Sequence, residues 1–237
     1  PSGFHKQAVS KISLSHCNKI PTAGFAVGAG ESDELDELSA AERLVIAYQA
    51  DGSAHNARVD GSVGMSFSFV RPRKITRFLR LMSDGGFKFS EVKAGRKRRF
   101  LVPGTTLAHK TLSEYFKLST MSWRKARNML EEIAEWDGSR IGKNMLYYSS
   151  AVADNADFVQ ALAVLAGYHA YVTFQDDKRK ASYKRMHRVF ISKHRNGFTT
   201  RVIKRSSVDY DGKVYCVMVP SGNIVVRRNG KVMITGN

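Results

Sequence analysis

Cysteine is nearly absent, with Cys17 and Cys216 the only two in 237 residues. They stand far apart, without CxxC spacing or a histidine cluster suited to zinc, so neither a disulfide framework nor a structural metal site is expected. The implied compartment is reducing and cytoplasmic. No apolar run approaches the roughly 18 residues that a membrane-spanning helix needs. Residues 1–10 hold no apolar stretch of the kind a secretory leader carries. Acidic side chains are also scarce, 21 against 38 Lys and Arg, a formal net charge of +17.

What is present is enough for a folded body, since 43% of residues are hydrophobic and 25% charged, close to globular averages. The charge is uneven. Residues 1–43 hold four basic and six acidic side chains, residues 44–205 hold 30 and 13, and residues 206–237 hold four and two. All the excess therefore belongs to the central region. A folded, cationic body of this kind points to nucleic acid, with an acidic protein partner as the rival.

Two segments of the central region share one pattern. Leu44, Ala47, Tyr48 and Asp51 stand at i, i+3, i+4 and i+7, followed by Gly52 and Ser53; Leu130, Ile133, Ala134 and Asp137 repeat the spacing, followed by Gly138 and Ser139. Each reads as a helix with one apolar stripe that ends in a carboxylate. The Gly after each Asp suits a left-handed helix-closing residue. Each Asp then lies at the negative end of a helix macrodipole, where a cation is needed to compensate it. Downstream, strands are expected at 63–69, 87–92 and 97–102 around a basic helix at 73–82, and then at 144–149, 171–174 and 183–192 around a helix at 156–166. The chain reads as α+β, a tandem of two similar units.

Leu44-Val45-Ile46-Ala47-Tyr48-Gln49-Ala50-Asp51-Gly52 resembles the first LAGLIDADG motif of homing endonucleases, and Leu130-Glu131-Glu132-Ile133-Ala134-Glu135-Trp136-Asp137-Gly138 resembles the second. The resemblance implies a monomer with two αββαββ halves, whose antiparallel sheets form a saddle on double-stranded DNA. Its paired motif helices would bring one carboxylate from each half to a divalent-metal centre. Asp51 and Asp137 would be catalytic and metal-binding, holding Mg²⁺, with Mn²⁺ or Ca²⁺ able to substitute. Lys193 matches the position of a basic helper near the end of a last strand, with Lys184 second. Expected DNA contacts are Arg71, Arg73, Arg96, Lys97, Arg98, Arg99, Lys178, Arg179, Lys180, Lys184 and Arg185. Trp136 is bulkier than close packing of the two helices prefers, which keeps open a degenerate body that only binds DNA. An RNA-binding splicing factor on the same fold is the third reading.

Residues 208–237 read as strands separated by Gly/Asn turns and resemble the C-terminal splicing segment of inteins, particularly those of phage proteins. The resemblance implies an all-β Hint segment in which the Asn237 side chain cyclises. Gly236 stands where the family usually has His, Cys216 where an Asp is common, and Asn223 near a position often held by His. His16 and Cys17 form a weak candidate catalytic pair. The start of the chain, Pro1-Ser2-Gly3, shows neither the opening Cys or Ser of an intein nor its Thr-x-x-His motif, so an N-terminal splicing half is expected as a partner. The resulting division is a connector at 1–38, an endonuclease at 39–205 with halves of about 39–108 and 120–205, and a splicing segment at 206–237. Such a protein belongs in a bacterial or phage-infected cell, and the third reading is disfavoured by this tail.

Overall fold

The structure is a computed structural model that describes residues 19–24, 36–56, 63–104, 107, 109–176, 184–194, 197–199, 207–213, 217–220 and 222–236. Its architecture is mixed α and β, with antiparallel sheets. Helix α1 (Ala40–Asp51) is followed by β2 (Gly52–Asn56), β3 (Val63–Phe69), α2 (Pro72–Asp84), β4 (Ser90–Ala94) and β5 (Lys97–Pro103). The same order then recurs as α3 (Trp123–Trp136), β6 (Gly138–Ile141), β7 (Met145–Ser150), α4 (Ala153–Leu165), β8 (His169–Gln175) and β9 (Met186–Ser192). The two four-stranded sheets run β2-β3-β5-β4 and β6-β7-β9-β8. A short strand β1 (Lys19–Pro21) pairs with β10 (Gly197–Thr199), and β11 (Asn223–Arg228) with β12 (Lys231–Gly236) forms a hairpin.

Local chemistry starts each motif helix. Ser39 caps α1, its side chain accepting from the Glu42 N–H while Glu42 reaches back to the Ser39 N–H at 2.9 Å. Ser122 caps α3 by accepting from the Lys125 N–H at 3.0 Å. Such caps satisfy orphan first-turn donors and contribute about 1 kcal/mol each. Helix α1 buries Leu44, Ile46, Ala47, Tyr48 and Gln49. That is more than one face, because it packs on α3 as well as on its own β3 and α2. The first half closes over Phe67, Phe69, Phe78 and Phe100, with ring centroids of neighbouring pairs 4.8–6.2 Å apart. Each such ring removed from water contributes about 2–3 kcal/mol.

Three expectations change. A strand follows each Asp at once, β2 and β6, in segments too poor in β-branched and aromatic residues to announce themselves. The glycines after the two Asp residues are not left-handed: Gly52 has φ −81° and ψ 162°, and neither it nor Gly138 is among the positive-φ residues. Their role is close approach. A Cβ on Gly52 would lie 2.7 Å from the Tyr48 Cα, and one on Gly138 2.4 Å from the Ala134 Cα. Finally, of the described residues in 208–237, strands occupy only 223–228 and 231–236.

The terminal hairpin is tied to the second half. Gln160, fully buried, donates to the Gly230 carbonyl at 2.7 Å and the Ala170 carbonyl at 3.2 Å, and its own carbonyl accepts from Arg227 at 2.7 Å. The Val172 N–H on edge strand β8 donates to the same Gly230 oxygen at 2.9 Å. The hairpin turn thus covers part of an otherwise unpaired edge. No described helix is long and apolar enough to cross a membrane.

Candidate active site

Packing α1 on α3 brings Asp51, the last residue of α1, and Asp137, which closes α3, to one ammonium group. Lys74 Nζ lies 2.5 Å from Asp51 Oδ2 and 3.7 Å from Asp137 Oδ1. Lys74 is the third residue of α2, and it supplies the compensation that two carboxylates at negative helix ends require. A second cation arrives from the segment between the halves. Lys110 Nζ donates to the Gly52 carbonyl at 2.7 Å and stands 5.6 Å above the Tyr48 ring. Asn155, the third residue of α4 as Lys74 is of α2, fixes that segment by donating to the Lys110 carbonyl at 2.8 Å and accepting from the Leu112 N–H at 2.8 Å. Neither lysine was expected from the sequence. Their only signal was the unmet demand for positive charge beside the two carboxylates.

The electrostatics are those of a crowded pair of anions. Burial first, and then the Asp51 charge, push the Asp137 carboxyl above the ordinary aspartate range, with Lys74 and Lys110 pulling the other way. Burial lowers the Lys110 ammonium, while Asp137 and Asp51 act to raise it. Tyr148, whose hydroxyl accepts from Gln49 at 3.1 Å, is pushed up to about 12, by burial foremost. It remains a neutral neighbour of Asp137 at any physiological pH. The site opens into a cleft of about 680 Å³ lined by residues that include Asp51, Asp137, Lys74, Arg71, Arg73, Ser68, Tyr147 and Ser149.

Two nearby carboxylates in an open, water-accessible cleft fit a hard divalent cation. Mg²⁺ is commonly held by one or two carboxylates and keeps several waters. Among the described residues no group of three or more His, Cys, Asp or Glu side chains forms a metal cage, so the fit is to a hydrated ion.

The expected helpers separate on inspection of register. Lys193 does not join the pair: Gly138 pairs with Tyr148 and Tyr148 with Val189, which leaves Lys193 four residues farther along, about 13 Å at strand spacing. Its ammonium is instead ion-paired with Glu131. Arg98 is in register with Phe69, on the helix-covered face, and donates to both oxygens of Glu91 at 2.5 and 2.7 Å. Its neighbours Lys97 and Arg99 point the opposite way and are exposed. Arg71 and Arg73 line the cleft, Arg73 donating to the Glu135 carbonyl at 2.7 Å. Arg96 and Lys184 are exposed. Arg185 pairs with Asp176 and lies 4.9 Å above Phe174. Arg188, not anticipated, is exposed on β9. Trp136, on α3, packs across to the end of β3. It is buried against Phe69 at 5.9 Å, and its indole N–H donates to Glu132 at 2.8 Å. Lys178, Arg179, Lys180, Cys216 and Asn237, with His16 and Cys17, lie outside the described residues.

No protein-family model matches the chain. The ribonucleoside-diphosphate reductase subunit beta of Aquifex aeolicus (strain VF5) is 30% identical over a 264-residue alignment that covers 98% of this chain and 38% of that protein. The chain thus spans about two fifths of that relative's length. The DNA-directed RNA polymerase subunit beta C-terminal section of Stigeoclonium helveticum is 30% identical over 144 residues, 52% of this chain and 13% of that protein. Among solved structures, mesophilic variants of the homing endonuclease I-DmoI are similar at 15% identity and a TM-score of 0.49, over 65% of this chain and 88% of theirs. I-DmoI in complex with DNA and Ca gives 13% identity and 0.48, over 65% and 82%. The homing endonuclease I-WcaI bound to its DNA recognition sequence gives 12% and 0.34, over 71% and 85%.

Proposed function

We propose that this chain is a site-specific DNA endonuclease of the LAGLIDADG type, carried within an intein, and that it makes a double-strand break by metal-dependent phosphodiester hydrolysis. The observation that carries the reading is the convergence of Asp51 and Asp137, from matching ends of two packed helices, on one cation at the floor of an open cleft. The repeated αββαββ order supports a pseudo-symmetric tandem acting as a monomer, one carboxylate for each strand of the duplex. A bound Mg²⁺ would supply charge stabilisation at the attacking and leaving oxygens. Asp51 and Asp137 would hold it, and Lys74 and Lys110 would neutralise phosphate charge from either side. Arg71, Arg73, Arg96, Lys97, Arg99, Lys184 and Arg188, with Lys178, Arg179 and Lys180, would contact phosphates and groove edges.

Relatives with unrelated names, each sharing only part of its length with this chain, support an inserted element common to different hosts. The tail reading adds protein splicing. The Asn237 side-chain nitrogen attacks its own main-chain carbonyl, closing a succinimide and releasing the amine of the following chain. Asn223 pairs directly with Gly236 across the hairpin, and its amide would be the group to stabilise the developing oxyanion in place of the histidine. The second reading is a DNA-binding body that no longer cleaves, and the cleavage assay below separates the two.

A duplex library of random sequence, enriched for binding in Ca²⁺ and then shifted to Mg²⁺ or Mn²⁺, tests the nuclease. One enriched sequence is expected to be cut on both strands, with no cutting in EDTA; an enriched target that survives Mg²⁺ and Mn²⁺ sinks the enzyme reading. For splicing, the chain followed by a reporter and co-expressed with an N-terminal intein half is expected to release the reporter and leave a succinimide at Asn237, seen by mass spectrometry as a product one water lighter than the chain ending in a free Asn carboxyl. An intact fusion that forms no such product counts against it.

A further inference from the structure

The two sheets present different chemistry on the faces turned away from their helices. Antiparallel partners in register project to the same side, so the open face of the first sheet is given by Ser53 with Ser66, Ser68 with Arg99, and Val92 with Arg99. It is mostly polar and cationic: Lys97 and Arg99 are exposed, and the Arg99 guanidinium is propped by the Ser66 hydroxyl at 3.1 Å. The second sheet is not a copy. Its open face carries Tyr147 in register with Phe190, and Phe190 in register with Tyr171. The rings lie nearly parallel across three strands, Tyr147 to Phe190 at 6.3 Å and 28°, Phe190 to Tyr171 at 5.1 Å and 12°. Ile141 and Met145, also paired, extend the apolar surface at one end and are exposed. Arg188 is the cation described on that face. Tyr147 and Ser149 also line the cleft that holds Asp51 and Asp137, so the aromatic row is continuous with the site.

We infer that the second sheet reads its half of the DNA target through thymine methyl groups, with Tyr147, Phe190 and Tyr171 as the specificity-determining row, while the first reads by charge and hydrogen bonds. The inference rests on the endonuclease reading above and adds to it the base composition of one half-site. The occupant is duplex DNA, because the row lies in a body with 30 basic and 13 acidic side chains over residues 44–205 and adjoins the acid pair. In the major groove each base pair shows a distinct edge, and thymine alone adds a methyl group. Over guanine or cytosine an apolar row leaves strong donors and acceptors desolvated without partners. Over thymine it buries the methyl, whose transfer from water is worth about fourfold in affinity.

The test uses the DNA enriched from the random duplex library in Ca²⁺, resynthesised with deoxyuridine for every thymidine in one half-site at a time. Uracil lacks the methyl group and keeps the same pairing edge. Binding by fluorescence anisotropy is expected to weaken more than about tenfold for substitution in one half-site, from two methyls or more, and less than about twofold in the other. Phe190→Ser is expected to erase that sensitivity, with Tyr171→Ser as the second variant should the first lose its fold by circular dichroism. Equal responses of the two half-sites, a weak response in both, or undiminished deoxyuridine sensitivity in a folded variant overturns the inference. Failure to enrich any DNA removes the endonuclease reading as well, whereas enrichment of a target indifferent to the methyl removes this inference alone.

Discussion

Replacing Asp137 by Asn is expected to lower DNA cleavage by more than ~10²-fold, since even groups one step removed from a metal cost up to about that much. The same change is expected to raise the melting temperature of the metal-free chain at neutral pH. The two effects share a cause. Burial and the Asp51 charge hold the Asp137 carboxyl above the usual aspartate range despite two lysines. Well below the ordinary aspartate pKa both folded and unfolded chains carry the neutral acid, and there is no penalty. As pH rises from that value the unfolded chain ionises first, so the native state loses ground until pH exceeds the raised folded value. Asparagine never ionises, and Lys74 keeps its 2.5 Å contact with Asp51. Its advantage therefore grows as pH rises above the ordinary aspartate pKa and shrinks toward acid. Thermal melts in EDTA at pH 7 and near pH 3.5 read it directly. A variant less stable than its parent at pH 7, or one shifted equally at both pH values, would show that the carboxylate is not electrostatically frustrated.

Gly138→Val is expected to cost about 3 kcal/mol of stability, the upper range for forcing atoms into a packed position. That corresponds to roughly 6–12 °C in melting temperature for a chain of this size. The new Cβ would meet backbone rather than a movable side-chain tip, at 2.4 Å from the Ala134 Cα and 3.0 Å from its carbonyl oxygen. Strand β6 must then move off α3, and Asp137, the residue between them, moves with it. The parallel site at Gly52 separates this explanation from a turn conformation. At φ −81° any residue fits the backbone, so Gly52→Asn should be no better tolerated than Gly52→Ala. Rescue by asparagine, which accepts left-handed φ more readily than alanine, would contradict the close-approach role. Lys143→Ala, exposed in the β6–β7 turn, serves as a control within about 0.5 kcal/mol.

Much of the fold was open to local reading. The i, i+3, i+4, i+7 stripes placed α1 and α3 and put Asp51 and Asp137 at their ends, because helical periodicity is a property of a dozen consecutive residues. Alternating Phe residues marked β3 by the same logic. Alternation also held the face of Arg98: with Phe100 and Val102 pointing inward, Arg98 two residues earlier shares their side, although its pairing with Glu91 depends on the β4–β5 register. Strands β2 and β6 were not. Gly52–Asn56 has little strand propensity of its own and is extended because β3 supplies its hydrogen-bond partners, a stabilisation that exists only after folding.

The sequence by itself determined where the two carboxylates lie on their helices, that each needs a nearby cation, and that positive charge is concentrated between residues 44 and 205. Only the tertiary structure decided which cation answers. Lys74 is 23 residues from Asp51, and Lys110 is 58 from the carbonyl it binds. Lys193, the residue that the family resemblance favoured, is drawn to Glu131. A stripe on a helix is fixed by bonded neighbours a few residues apart. The partner of a charge is fixed by whichever oppositely charged group packing brings within a few ångströms, whatever its distance along the chain.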